Sequence, residues 1–335
     1  MNCRERFHAI MNFEKPDRMY LAEWAPWWDK TMNRWQEEGL VIRKDPELED
    51  HYAVVKQFGL DLMLQYWLPS SRPELQQFFR GEGKGYASDE EGYEKLLPYL
   101  YPEPQEFLDV ERIKRYKHIC DRGDAVMWIT LHGYFWWPRT IMGIEDHLYA
   151  FYDEPDLMHR INEDICNYHL KVIDFVKQYI HPDFMTFGED MSYNNGPMLS
   201  EKMFDEFMLP YYQQTIPKLK AMGTRVLIDS DGDITKALPW FERAGIEGIL
   251  PLERQAGVDL LNLRRKHPKC LFLGHYDKMV MPKGEKAMRQ EFERLLPIMR
   301  QGGFIPSVDH QTPPGVSLEN YRIYIRLLKE YAEKI

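Results

Sequence analysis

Short, mostly apolar runs recur through the later part of the chain, at 126–130, 184–187, 226–228, 246–250, 271–273 and 304–308, and 226–228 has no polar alternation at all. Alternation marks a strand with one wet face; an unbroken run of a few residues, bounded by turn signals, marks a strand covered on both. Between these runs lie longer stretches with apolar residues at helical spacing. The stripe Met203, Phe204, Phe207 and Met208 predicts a helix over 200–222, closed by Gly223. Further helices are expected over most of 141–180 and at 234–244, 258–266, 284–300 and 317–334. The first third is less regular, with a helix over 3–13, a first strand at 19–22, helices near 29–39 and 47–58, and a second strand at 60–66.

Strands alternating with helices in this way predict a parallel sheet. About eight β/α units in one chain of this length predict an α/β fold, a (β/α)8 TIM barrel forming a single domain over 1–335. The polar excursion 69–124 carries Gly81, Gly83, Gly85, Pro98, Pro102 and Pro104. It reads as an insertion between the second and third strands, placed to act as a lid. Its glycines are not a phosphate loop, because Gly85 rather than Ser or Thr follows Lys84.

The catalytic groups of such a barrel sit at the carboxyl ends of the strands. From the fourth strand on, every expected strand ends there in charge: Glu189 and Asp190, then Asp229 and Asp231, then Glu253, then His275, Asp277 and Lys278, then Asp309 and His310. The densest stretch is Asp229, Asp231 and Asp233, directly after the apolar run 226–228. Carboxylates this close repel one another unless a cation, a metal or a shared proton sits among them. A capped turn is the plainer alternative, with Asp233 as the N-cap of the helix that follows. A calcium loop is excluded, since position twelve from Asp229 is Trp240 rather than Glu.

Composition narrows the chemistry. A net charge of -10, from 43 basic and 53 acidic residues, lacks the basic footprint of a nucleic-acid binder. Cys3, Cys120, Cys166 and Cys270 have no paired spacing, which fits core thiols in a reducing compartment. With no signal peptide and no apolar run long enough to span a membrane, a cytoplasmic protein is expected. Aromatic residues reach 14%, and Trp24, Trp27 and Trp28 crowd one loop while Tyr134 and Trp136 fall in another. With Tyr193 they are candidates to clamp an aromatic ring. A rim of Trp and Tyr without arginine forks suits a mostly neutral aromatic substrate over a polyanion. Glu253 and His275 join the substrate-binding candidates, whereas His132, His147, His159, His169 and His181 read as structural.

Several segments resemble the uroporphyrinogen decarboxylase superfamily: Arg4, Phe13 and the run from Lys15 to Arg18; Phe187 to Met191 with Gly196 to Ser200; and Pro306 to Gln311 with Ser317 to Asn320. The resemblance spans nearly the whole chain and implies a (β/α)8 barrel shared by the decarboxylase and by corrinoid-dependent methyltransferases. The decarboxylase holds its substrate with an arginine-rich amino-terminal loop, and here that loop reads Glu23 to Trp28 without arginine. In thiol-specific methyltransferases of the superfamily, His and Cys ligands bind zinc. The matching positions here are Asp229, Asp231 and His310, and oxygen and imidazole groups suit an oxygen substrate over a thiolate. The chain is similar to the branch that demethylates aryl methyl ethers such as guaiacol or veratrole. There the methyl group passes, in anaerobic O-demethylation, to the cobalt(I) of cobalamin, a corrinoid carried by a separate corrinoid-binding protein.

The resemblance therefore implies a methyltransferase with Asp231, His310, Asp229 and Glu189 as catalytic residues. A phenolate leaves an ether only if its oxygen is protonated or bound to a Lewis acid. Two routes stand open: Zn held by Asp229, Asp231 and His310, or a carboxyl of raised pKa acting as general acid with His310 orienting it. The acid route is favoured, because an Asp/Asp/His set is less typical of zinc than sets rich in His. Two other readings remain: a glycoside hydrolase, weakened by the absence of Glu after strand seven, and a non-catalytic binder of small aromatics. A homodimer is compatible with all three.

Overall fold

The computed structural model describes residues 1–25 and 27–335. Seven parallel strands form the main sheet: β1 (Leu62–Trp67), β2 (Ala125–His132), β3 (Phe184–Gly188), β6 (Arg225–Asp229), β7 (Gly248–Leu250), β8 (Leu271–Tyr276) and β9 (Phe304–Val308), hydrogen-bonded in that order. A small antiparallel hairpin, β4 (Ser192–Tyr193) and β5 (Gly196–Pro197), stands outside it. Its two-residue strands carry no apolar run, so the sequence pattern does not announce it.

The unbroken apolar runs behave as their burial requires. Every residue of β3, β8 and β9 is buried, as expected of strands with helices on one side and packed side chains on the other. Each parallel neighbour is reached by a crossover, with Pro155–Val176 between β2 and β3, Leu209–Ala221 between β3 and β6, and Glu285–Met299 between β8 and β9. The helix expected over 200–222 is two helices, Glu201–Phe207 and Leu209–Ala221. Pro210 explains the break, since it lacks the N–H that a continuous helix would use and its ring crowds the preceding turn. Ser200 opens the first of the pair by accepting from the Met203 N–H.

The segment 19–22, expected as a first strand, is buried but joins no ladder. Its hydrogen bonds go elsewhere: the Leu21 N–H donates to the Asp61 carboxylate at 2.9 Å, the Met19 N–H to the Ala332 carbonyl, and the Leu21 carbonyl accepts from the Asp61 N–H. With the two residues that follow it, this segment touches both edges of the sheet, because Asp61 directly precedes β1 and the Trp24 indole N–H donates to the Val308 carbonyl of β9. In the excursion 69–124, the helix Val110–Asp121 packs on β2 as an ordinary crossover. No helix among the described residues is long and apolar enough to cross a membrane.

Parallel register puts the strand ends level. His132 pairs with Gly188, Gly188 with Asp229, Asp229 with Leu250, and His275 with Ser307. Glu189, Asp190, Asp229, Asp231, Glu253, Lys278, Asp309 and His310 therefore all emerge at one end of the sheet.

Candidate active site

The ladder continues one step past β3, where the Glu189 N–H donates to the Asp229 carbonyl at 2.8 Å. This carries the chain into Asp190, whose φ of 35° is unusual for a residue with a side chain. The Asp190 carboxylate then accepts the Asp231 N–H at 3.1 Å, and the Arg139 guanidinium holds the Asp190 carbonyl at 3.2 Å. The loop after β6 is fixed from its other side as well. The Gly232 N–H donates to Glu253 at 3.0 Å, and Gly232, at a φ of 80°, lies against the hairpin so closely that a Cβ would sit 2.7 Å from its backbone. Asp233 closes a local turn by accepting the Thr235 N–H, but it is not the expected helix N-cap, since the next helix, Leu238–Ala244, starts later with Ala237 in that place.

His310 Nε2 stands 3.5 Å from Asp231 Oδ2, an ion-pair distance. Contact with Asp231 raises the imidazole pKa, against burial and the Lys278 charge. Asp229 has the opposite surroundings. Among the described residues its carboxylate receives no hydrogen bond, and burial, then Asp190, then Asp231, drive its pKa well above the carboxylate range. Burial together with Asp231 pushes Asp190 up to about 6. Of the two carboxyls raised in this way, Asp229 is the more reluctant to ionise.

Glu189 sits beneath this cluster and is fully buried. Its carboxylate accepts the Phe135 and Trp136 N–H groups at 3.1 and 3.2 Å and the Tyr212 hydroxyl. Only glycine fits at position 133, since a Cβ there would meet the Glu189 carboxylate at 1.5 Å. Burial outweighs these donors and lifts Glu189 to about 7. Its raised pKa makes the folded state hold a proton that the unfolded chain has released. Stability should therefore fall as pH rises from about 4.5 to 7, by roughly 3 kcal/mol in total at about 1.4 kcal/mol per pH unit. Glu189→Gln should flatten that fall when urea midpoints are compared between pH 5 and 8; parallel curves for the two proteins would refute the assignment.

A second ionic group adjoins the first. Asp309 is fully buried and accepts the Arg254 N–H at 2.9 Å and the Lys278 ammonium at 3.2 Å, while Lys278 also lies 3.8 Å from Glu253. Lys278 and Asp190 stand among the strand-end charges in the sequence, but only the folded backbone shows that they surround the Asp229 and His310 groups.

The aromatic candidates separate. Trp24 sets its ring edge-on to His310, with centroids 6.2 Å apart. With Trp27, Tyr52 and Trp67 it lines a cavity of about 230 Å³ that also includes Glu23 and Gln65. Tyr134 does not belong to this rim: it is fully buried against Tyr212, Phe187 and His169, with its hydroxyl on Thr215. His275 is also turned away, held between the Leu252 carbonyl at 2.8 Å and Arg294 at 3.1 Å, and its burial pushes the pKa down to about 3. Trp136 packs under the Arg139 guanidinium, while Trp28 and Tyr193 are half-exposed. Of the histidines expected to be structural, His147 lies on Phe135, His159 on Phe207, His169 on Tyr134, and His181 faces the Met222 carbonyl, while His132, at the end of β2, packs between Trp137 and Trp67.

The alternative zinc set of Asp229, Asp231 and His310 is not assembled among the described residues. Zinc needs ligands converging within about 2.0–2.3 Å of one point. Among the described residues no three or more His, Cys, Asp or Glu converge so as to hold a metal ion. His310 spends its Nε2 on Asp231 instead. The largest cavity described, about 610 Å³, lies at the far ends of the strands around Phe13, Arg225 and Leu271, away from these acids.

Fold and site together define an α/β protein with a parallel sheet and an acid cluster over the carboxyl ends of its strands. The model of the uroporphyrinogen decarboxylase (URO-D) family matches residues 129–331, and the chain belongs to that family. Among solved structures it is similar over its full length to a methyltransferase from Methanosarcina mazei, with a TM-score of 0.63, 12% identity and 99% of each chain covered. That likeness speaks for the fold. A B12-independent methionine synthase from Shewanella aligns with a TM-score of 0.38 and 11% identity, over 68% of this chain and 66% of the other. No curated protein sequence matches the chain.

Proposed function

We propose that the protein is a methyltransferase that demethylates aryl methyl ethers of the guaiacol and veratrole type, with the corrinoid of a separate protein as methyl acceptor. The observation that carries this reading is Asp229: a carboxyl without a hydrogen bond among the described residues, kept protonated by burial and two neighbouring aspartates. It stands at the end of β6, on the same rim as His310, which the cavity-lining Trp24 meets edge-on. Aryl ether cleavage needs such a group, because a phenolate leaves readily only when its oxygen gains a proton as the carbon–oxygen bond breaks.

In this reading Asp229 donates the proton, and Asp231 with His310 holds the positive charge beside it. Glu189 and Glu253 are positioning residues that fix the two loops. Trp24 and Trp67 clamp the ring. A corrinoid supplies the cobalt nucleophile when its carrier docks, and Asp231 and His310, at 38% and 29% exposure, leave the rim open to a broad, flat partner. The absence of arginine from 23–28 argues against binding a polycarboxylate porphyrinogen, which needs guanidinium forks. Within 69–124, the part that precedes the crossover helix Val110–Asp121 would then act as a lid over the ring.

Mixing the protein with reduced cobalamin and guaiacol should give methylcobalamin, read from its absorption spectrum, and catechol in equal amount. The absence of both across a panel of aryl methyl ethers would overturn the proposal.

A further inference from the structure

We infer that the cavity between Trp24 and Trp67 contains a subsite for a ring hydroxyl, read by Glu23 and Trp27, so that the preferred ethers are phenols rather than fully methylated rings. This rests on the functional reading above and narrows its substrate class.

The cavity has a suitable size and place. A cavity of about 150 Å³ can hold benzene, so about 230 Å³ suits one substituted ring and is too small for a tetrapyrrole. Its two indole walls reach the acid cluster. Trp24 contacts His310 edge-on, and Trp67 lies over Gly188, where a Cβ would come within 3.4 Å of the indole; Glu189 and Asp190 follow directly. A ring between these walls has one edge toward the acids and the other toward Glu23.

That far edge is polar in a specific way. Glu23 is 7% exposed, and one of its oxygens accepts the Tyr321 hydroxyl at 2.6 Å. The other, Oε1, has no hydrogen bond, and neither has the Trp27 indole N–H, although Trp27 is near enough to favour the ionised carboxylate. Burial lifts the Glu23 pKa to about 8, so above that pH Oε1 can only accept, and the discrimination drawn here is that of the ionised carboxylate. An unpaired buried acceptor beside an unpaired buried donor is costly. One group satisfies both: a hydroxyl donates to Glu23 and accepts from Trp27. A methoxy oxygen can only accept, so a dimethoxybenzene leaves Glu23 unpaired. This asymmetry gives discrimination that shape alone cannot.

Binding can be read without turnover, from quenching of tryptophan fluorescence by guaiacol and by veratrole. At pH 9, where Glu23 is ionised, guaiacol should bind at least tenfold tighter to the unaltered protein. Glu23→Gln and Trp27→Phe should each weaken guaiacol about tenfold and leave veratrole within about twofold. Equal affinity for the two ligands, or equal losses for both in the variants, would overturn the subsite and leave these groups as water-binding or structural. The two proposals fail separately. Discrimination without methyl transfer removes the functional reading and keeps the subsite, whereas transfer at equal efficiency from both ethers does the reverse.

Discussion

Asp229→Asn is expected to lower the rate of methyl transfer by about 10²–10⁴-fold, the usual contribution of a positioned general acid. Asparagine keeps the volume and one acceptor but has no proton to give. The loss should depend on the leaving group. An ether whose phenol is more acidic needs less help, so electron-withdrawing ring substituents should shrink the deficit, a pattern that a merely structural role would not produce. Stability should move the other way. The folded pKa of Asp229 lies above its unfolded value, so its contribution to stability is lost as pH rises through that folded pKa. At pH 8 the variant should therefore melt at or above the temperature of the unaltered protein. Activity within threefold of the original, or a lower melting temperature at pH 8, would show that Asp229 is not the acid.

The sequence made the strands and their charged ends legible because both depend on local pattern. An apolar run such as 226–228 cannot be wetted on either face, and parallel pairing fixes where Asp229 and Asp231 emerge. Two features were out of reach. The segment 19–22 has the composition of a strand, yet Asp61 captures its backbone donor, and no periodicity encodes that long-range hydrogen bond. The aromatic clamp was half legible. Density in sequence identified Trp24, but it could not separate Trp24, which meets His310, from Tyr134, which is buried in the core.

The same limit explains why Glu23 and Lys278 carried no role in the sequence. Both are ordinary charged residues until burial gives them a cost. Glu23 owes its raised pKa to desolvation, and Lys278 owes its importance to a carboxylate on the next strand. His275 shows the converse. Its place after an apolar run looks functional, but its φ of 64° and its bond to the Leu252 carbonyl turn the ring toward the helix Glu285–Met299.

Lys278→Met is the substitution expected to cost most stability near the site, about 3–5 kcal/mol, because it strips the countercharge from a fully buried carboxylate. Asp309 would keep only the Arg254 and Lys278 backbone donors, too few to replace the ammonium. The carboxyl can escape by taking up a proton, and burial already raises its pKa. Removing Lys278 raises it further, so the variant's deficit should be small at pH 5 and grow as pH rises toward 8. Asp309→Asn in the same chain should recover most of the loss, since the amide needs no countercharge and the two sites couple directly. Denaturant midpoints for the four members of this cycle at both pH values decide the matter. A deficit independent of pH, or no rescue by Asp309→Asn, would mean that Lys278 matters for its packing. The pair would then be idle as the electrostatic clamp between the ends of β8 and β9 that holds His310 over the acids.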